Sequence, residues 1–241
     1  MNNNPFFKPT LYWITALYIL LTFPVLMLGD QVASYMFSED NYFENVGALS
    51  FFAASFLFFY AFIRSRSPHN IPRIFRLKQL VYLGFAFLFF FGGGEEISWG
   101  QRIFNLQTPE ALSAVNAQQE LNVHNIDFFE YKFSFELFFD ILWLVLTVLL
   151  PITSLYIKPF ERFVGRFVPI VHWGIGLLFV FNYLLAKVAR AVFVNFYTYS
   201  LVPFVQAVQE TKESNYSLLF VLVALFVVWD FNKLRNENAN E

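Results

Sequence analysis

Glu95 and Glu96 stand side by side in the run GGGEEISWGQR, at the end of an apolar stretch. An ionised side chain at mid-membrane costs about 2.5–3.5 kcal/mol on insertion scales, so each acid there implies a partner or a task. Adjacent residues on a helix point about 100° apart. One carboxylate can therefore meet Arg102 or Lys187 while its neighbour faces a metal ion, a proton or a substrate cation. Further polar groups gather at the same end of other apolar stretches. Glu44 opens the second, Glu136 and Asp140 open the fourth, Asn182, Lys187 and Arg190 close the fifth, and Glu210 and Glu213 lie on the helix entering the sixth.

These residue types suit hydrolysis or group transfer. Glu95 or Glu96 would act as general base or metal ligand, His124 in the run ELNVHNID as ligand or acid–base group, and Arg102 against developing negative charge. Lys187, Arg190 and Asn182, with Trp99 and Gln101, would hold an anionic lipid headgroup. Glu44, Glu95, Glu96, Glu210, Glu213 and His124 make a carboxylate-rich set of the kind that takes a divalent metal, the one cofactor the sequence suggests. A second reading is non-catalytic: acids on several helices can pass cations or protons in a transporter or channel, or dock another subunit of a larger membrane complex. The plainest reading is structural. If the fourth and fifth stretches are antiparallel neighbours, Glu136 and Asp140 meet Lys187 and Arg190 as ion pairs without further function, and His124 is a solvated loop residue.

Other chemistries are excluded. With no Cys there is no disulfide, thiolate nucleophile or Cys-ligated metal. HExxH, the paired ExxH of di-iron bundles, the GxSxG elbow, the P-loop and the dinucleotide fingerprint are all missing, and the basic segments are too short for nucleic acid. Membrane lipids are the expected partners, with a membrane-protein partner or a second copy also compatible with buried charge.

The elements that position these groups are membrane helices. Of 241 residues, 57% are apolar and 14% charged, with 35 Phe; a soluble domain has no use for so much apolar surface. The apolar residues fall into blocks of about 20, the reach of a helix across a ~30 Å hydrocarbon core. The expectation is an all-α polytopic bundle forming one transmembrane domain over 1–241, with spans near 11–29, 46–63, 80–98, 135–157, 168–190 and 215–232. Loops near 64–78 and 158–167 carry Arg64, Arg66, Arg73, Arg76, Lys78, Lys158, Arg162 and Arg166, whereas 30–45 is acidic and 99–134 poor in bases. The basic loops are therefore expected in the cytoplasm with both termini, and the 99–134 loop outside. The opening MNNNPFFKPT lacks the features of a removable signal peptide, so the first span is expected to stay as an anchor. Thr108-Pro109-Glu110 predicts the N-terminus of a short amphipathic helix over 109–121, lying on the membrane through Leu112 and Val115. Gly92, Gly93 and Gly94 predict close approach of another backbone, or a helix loosened beside the site.

The run Glu95-Glu96-Ile97-Ser98-Trp99-Gly100-Gln101-Arg102, followed by Thr108-Pro109-Glu110 and Asn122-Val123-His124-Asn125, resembles a family of uncharacterised bacterial polytopic membrane proteins. Glu39-Asp40, Glu44, Glu210 and Glu213 belong to the same likeness. The resemblance implies a bacterial cytoplasmic (inner) membrane location and singles out these residues, without supplying a reaction.

Overall fold

The computed structural model describes residues 6, 8–28, 35, 42–65, 73–101, 103–116, 121–123, 126, 135–196 and 201–239. His124, Asn125 and Arg102 lie outside them, as do residues 39 and 40. Among the described residues the chain is helical, with one isolated antiparallel bridge between Asn116 and Ile126 and no strand. The helices are α1 (Pro9–Thr22), α2 (Tyr42–Arg64), α3 (Arg73–Glu96), α4 (Glu110–Ser113), α5 (Phe135–Trp143), α6 (Leu150–Tyr156), α7 (Lys158–Val164), α8 (Trp173–Phe196) and α9 (Leu201–Ala239).

Among the described residues six segments are long and apolar enough to cross a membrane: Pro9–Leu26, Tyr42–Arg64, Leu77–Glu96, Phe135–Tyr156, Trp173–Val192 and Val205–Asp230. The chain is a multi-pass helical membrane protein, as the apolar blocks predict. The largest departure is the last span, expected near 215–232 but starting at Val205. Its polar run Gln206–Ser217 depresses local hydropathy, yet one face of it turns inward, where Ala207, Thr211, Lys212, Ser214, Asn215 and Ser217 are buried.

The helix α9 is the centre of the bundle. It packs along α2 on one side and α8 on the other; α3 lies against α2, and α1 against α8. The core between them is aromatic. The Phe89 ring meets Phe220 at 4.8 Å, Phe58 at 5.6 Å and Phe51 at 5.9 Å between centroids. Phe220 meets Phe179 at 5.1 Å, and Phe179 stacks on Trp143 at 5.5 Å. Offset and edge-on ring pairs of this kind add about 0.5–1.5 kcal/mol each beyond their burial. Lipid tails are as apolar as the helix surfaces, so tight packing of this sort replaces the hydrophobic effect as glue.

The fourth span is not a regular α-helix. Pro151 has no N–H to donate to the carbonyl four residues back, and its ring crowds that carbonyl. Leu144–Leu149 accordingly widens into a π-turn between α5 and α6, with the Leu150 amide reaching the Val145 carbonyl. The carbonyl displaced is that of Thr147, and it turns toward Gly176 on α8: a Cβ on Gly176 would stand 2.1 Å from it.

At the end of the bundle that carries the two basic segments, Lys78 Nζ donates to the Gly165 carbonyl at 2.9 Å. That contact ties the first turns of α3 to the C-terminal end of α7, where a cation complements the exposed carbonyls.

Candidate functional site

The polar residues singled out by sequence collect at the opposite end, around the last turn of α3 and the first turns of α2, α5 and α9. They separate into three structures with different work.

The first is a cap built by Glu95. Beyond α3 the chain makes a left-handed turn, with φ of +45° at Ser98, +54° at Trp99 and +74° at Gly100. That geometry costs a non-glycine residue about 1–2 kcal/mol, so neighbouring contacts must hold it. The Gly100 amide donates to the Ile97 carbonyl and the Gln101 amide to the Ser98 carbonyl, at 2.8 and 3.0 Å. The turn folds the Trp99 ring back over the end of α3, where a Cβ on Gly94 would stand 2.8 Å from it. The ring also lies 5.5 Å from that of Phe91. Trp99 Nε1 then donates to one oxygen of Glu95 at 2.6 Å, and the Val123 amide donates to the other at 2.6 Å.

Around that carboxylate the loop closes on itself. The Leu121 amide donates to Gln101 Oε1 at 2.6 Å, and Gln101 Nε2 to Thr108 Oγ1 at 2.8 Å. Asn116 Nδ2 donates to the backbone carbonyl and to Oδ1 of Asn122, at 2.8 and 3.0 Å. Asn122 Nδ2 reaches Ser98 Oγ at 3.2 Å. Glu95 is 6% exposed and Asn122 1%, so this is a buried knot rather than an open cleft. Such groups must be satisfied internally, because a buried polar atom left unpaired costs about 1–3 kcal/mol.

The knot bears on three sequence expectations. Glu95, a predicted catalytic and metal-binding acid, has both oxygens engaged by protein N–H donors. Trp99 and Gln101, predicted to bind substrate, hold the cap together. The helix predicted over 109–121 covers only Glu110–Ser113, and beyond it Asn116 turns back onto Asn122.

The second structure is an ion pair and its amide brace. Lys212 on α9, 4% exposed, donates to Glu136 on α5. Its backbone carbonyl accepts from Asn182 Nδ2 at 3.0 Å. Asn215 Nδ2 donates to Asn182 Oδ1 at 3.0 Å and to Thr22 Oγ1 at 2.9 Å. The buried amides thus hold α1, α8 and α9 at one depth, and the ion pair adds α5. The sequence reading paired Glu136 and Asp140 with Lys187 and Arg190. Asp140 accepts from the Trp143 indole at 2.9 Å, Lys187 is exposed with its ammonium 5.1 Å from the Tyr183 ring centroid and acts on Glu136 only through its charge, and Arg190 is exposed. Helical phase explains the difference. Lys212 lies on the inward face of α9, while Lys187 and Arg190 lie outside the inward stripe of α8 formed by Phe179, Asn182 and Ala186. Asn182, predicted to touch substrate, is part of the brace.

The third structure is centred on Glu96. Its Oε2 lies 3.2 Å from the position a Cβ on Gly47 would occupy, and the Ser214 Cα lies 3.9 Å from that same point. The absence of a side chain at Gly47 makes room for the carboxylate between α2, α3 and α9. Among the described residues nothing donates a hydrogen bond to Glu96. The charges acting on it are those of Glu213, Glu210, Glu44 and Glu95. Glu210 in turn lies in the fields of Glu213 and Glu44, while Glu213 accepts from Gln209. Glycines 92 and 93, predicted to admit a backbone, admit rings instead: Phe51 lies 3.5 Å and Phe52 3.0 Å from the Cβ positions.

Among the described residues no group of three or more His, Asp or Glu is placed to hold a metal ion, and His124 lies outside them. Comparison with protein families, with curated proteins and with solved structures found no match for this chain. Its chemistry must therefore be argued from its own residues.

Below Glu96 the character of the interior changes. Seven residues back along α3, about 10 Å at 1.5 Å per residue, Phe89 is fully buried among Phe51, Phe58 and Phe220. The acids face the long-loop end, and an aromatic floor closes the space beneath them.

Proposed function

We propose that this protein is a bacterial inner-membrane enzyme acting on a lipid or lipid-linked substrate at the outer leaflet, with both termini in the cytoplasm. One observation carries the reading. Glu96 is a carboxylate at the end of a membrane helix that no described donor satisfies, set among further acids, with space made for it by Gly47. A structural acid in such a place is normally paired, as Glu95 and Glu136 are; one left without a donor is suited to take a proton or a cation from a substrate. The basic segments at the opposite end support the orientation, and the resemblance in the 95–125 motif supports the bacterial membrane.

In this reading Glu96 is the acid–base residue, Glu210, Glu213 and Glu44 tune its charge, and His124 and Arg102, outside the described residues, keep the acid–base and charge-stabilising roles expected from the sequence. Glu95 supports the site through the cap and does not touch the substrate. The aromatic floor speaks against the second reading, a channel or transporter, since a conducted ion needs polar partners through the full depth. A non-catalytic subunit of a larger assembly would keep the acids as a docking surface.

The test is the lipid profile of cells lacking the protein, complemented with wild type, Glu96→Gln or Glu95→Gln. The expected outcome is an altered lipid species restored by wild type and not by Glu96→Gln at equal protein level, while Glu95→Gln lowers the protein level itself. An unchanged profile in the deleted strain, with wild-type liposomes passing cations that Glu96→Gln liposomes block, would overturn the enzyme reading in favour of transport.

A further inference from the structure

Ser214 is 4% exposed and its Oγ has no hydrogen-bond partner. It lies four residues beyond Glu210, one helical turn on the same face of α9. Its Cα and Glu96 Oε2 flank one point in space, 3.9 and 3.2 Å from the missing Gly47 Cβ. Among the described residues neither Glu96 nor Glu210 accepts a hydrogen bond. Glu96 and Ser214 thus border the same notch at Gly47, Glu210 stands one turn before Ser214 on α9, and none of the three has a hydrogen-bond partner among the described residues, while the charges of Glu213 and Glu44 add to the negative field. A buried hydroxyl left unpaired beside unpaired carboxylates points to a ligand that donates.

We propose that this cluster binds a primary ammonium group, carried by an aminophospholipid headgroup or by a free alkylamine. The proposal rests on the lipid-active reading above and names its substrate class. A metal ion of the hard class needs several oxygens gathered at about 2.0–2.6 Å, and no such group is assembled among the described residues. An ammonium spans a wider cage, because its three N–H donors reach acceptors at about 2.7–3.2 Å. Glu96, Glu210 and Ser214 supply three acceptors for three donors. A quaternary ammonium has no N–H to give and would be held by aromatic faces instead. The cluster therefore discriminates ethanolamine from choline headgroups. Lys212, the nearest described base on α9, is committed to Glu136 and does not compete.

The experiment uses the full chain in phosphatidylglycerol nanodiscs doped with either phosphatidylethanolamine or phosphatidylcholine, with lipids retained on the ejected protein counted by native mass spectrometry. Wild type is expected to retain phosphatidylethanolamine in preference to phosphatidylcholine. Loss of one charged acceptor in Glu96→Gln or Glu210→Gln should lower that retention about tenfold, and Ser214→Ala less, while exposed Glu161→Gln leaves it unchanged. Displacement of the lipid by added ethanolamine would mean that the amine alone is recognised; resistance to it would mean that the whole headgroup is needed. Equal retention of the two lipids, or a preference untouched by Glu96→Gln, would overturn the proposal. So would stoichiometric magnesium, calcium or manganese that Glu96→Gln removes. Where a variant fails to fold, competition of ethanolamine, choline and magnesium on wild type decides the same question. Headgroup selectivity without any change in cellular lipids would leave the ammonium site standing and remove the enzyme; altered lipids without selectivity would do the reverse.

Discussion

Glu95 and Val123 are 28 residues apart in the chain, and the Val123 amide donates to the Glu95 carboxylate at 2.6 Å. With the Trp99 indole on the other oxygen, this one side chain locks the loop beyond α3 onto the helix end. A neutral amide at 95 must turn its NH2 toward one of the two donors. Glu95→Gln should therefore cost about 1.5–3 kcal/mol, the worth of a hydrogen bond to a charged group. Thermal unfolding in detergent would show a lower midpoint, and Trp99 emission would shift as the ring leaves Gly94. An unchanged midpoint would mean that the cap does not depend on this acid.

The Gly176 position faces the Thr147 carbonyl freed by Pro151, with 2.1 Å between that oxygen and an added Cβ. Gly176→Ala must push α8 away from the π-turn and should cost about 1–3 kcal/mol or more. Gly84→Ala on α3, where a Cβ meets nothing within 4 Å, should stay within about 0.5 kcal/mol. Equal effects from the two variants would remove the close approach as a packing constraint.

The Lys212–Glu136 pair is unequally buried, with side-chain exposures of 5% and 45%. Removing the acid strands an ammonium in the core, whereas removing the base leaves a carboxylate that water can reach. Glu136→Ala should thus destabilise more than Lys212→Met, though by less than the ~3–5 kcal/mol of a fully buried pair. The double variant should recover part of the loss of Glu136→Ala. A strictly additive double variant would show that the two side chains are not coupled.

His172, just outside the fifth span, is tied to Tyr12 of α1 by a 2.6 Å hydrogen bond, and its Nδ1 receives the Gly174 amide at 3.2 Å. Burial lowers its pKa below the ordinary 6.5. The unfolded chain then takes up the proton first as pH falls. Stability from this residue is fully present above pH 6.5 and is lost as pH drops through the lower folded value. Unfolding midpoints between pH 8 and pH 5, in roughly half-unit steps, should fall on the acid side for wild type and less for His172→Asn. Parallel curves for the two proteins would count against this residue as the source.

Much of the polar layer was visible in the sequence as residue types and not as pairings. Glu44, Glu96, Glu210 and Glu213 stand out because charge is rare in apolar helices. Lys212 was missed for the opposite reason: it sits in the run QETKESNYS, whose polarity made the segment read as an approach to the membrane instead of part of the span. Its one signal is phase, since it shares an inward face with Val208, Asn215 and Leu219, all buried. Glu95 and Glu96 are indistinguishable as letters. Only the left-handed turn at Ser98, Trp99 and Gly100 brings two donors to the first and none of the described ones to the second, and that turn depends on contacts reaching as far as Val123.

By itself the sequence determined that the chain crosses a membrane as apolar helices, with acids concentrated toward one end of the spans and basic loops at the other. Those properties follow from the local cost of burying polar groups, which depends on composition within about 20 residues. The tertiary structure alone decided which charges are paired. Pairing depends on helix phase and on which neighbours meet at each depth, so Lys212 found Glu136 across 76 residues, while Glu96 was left among acids.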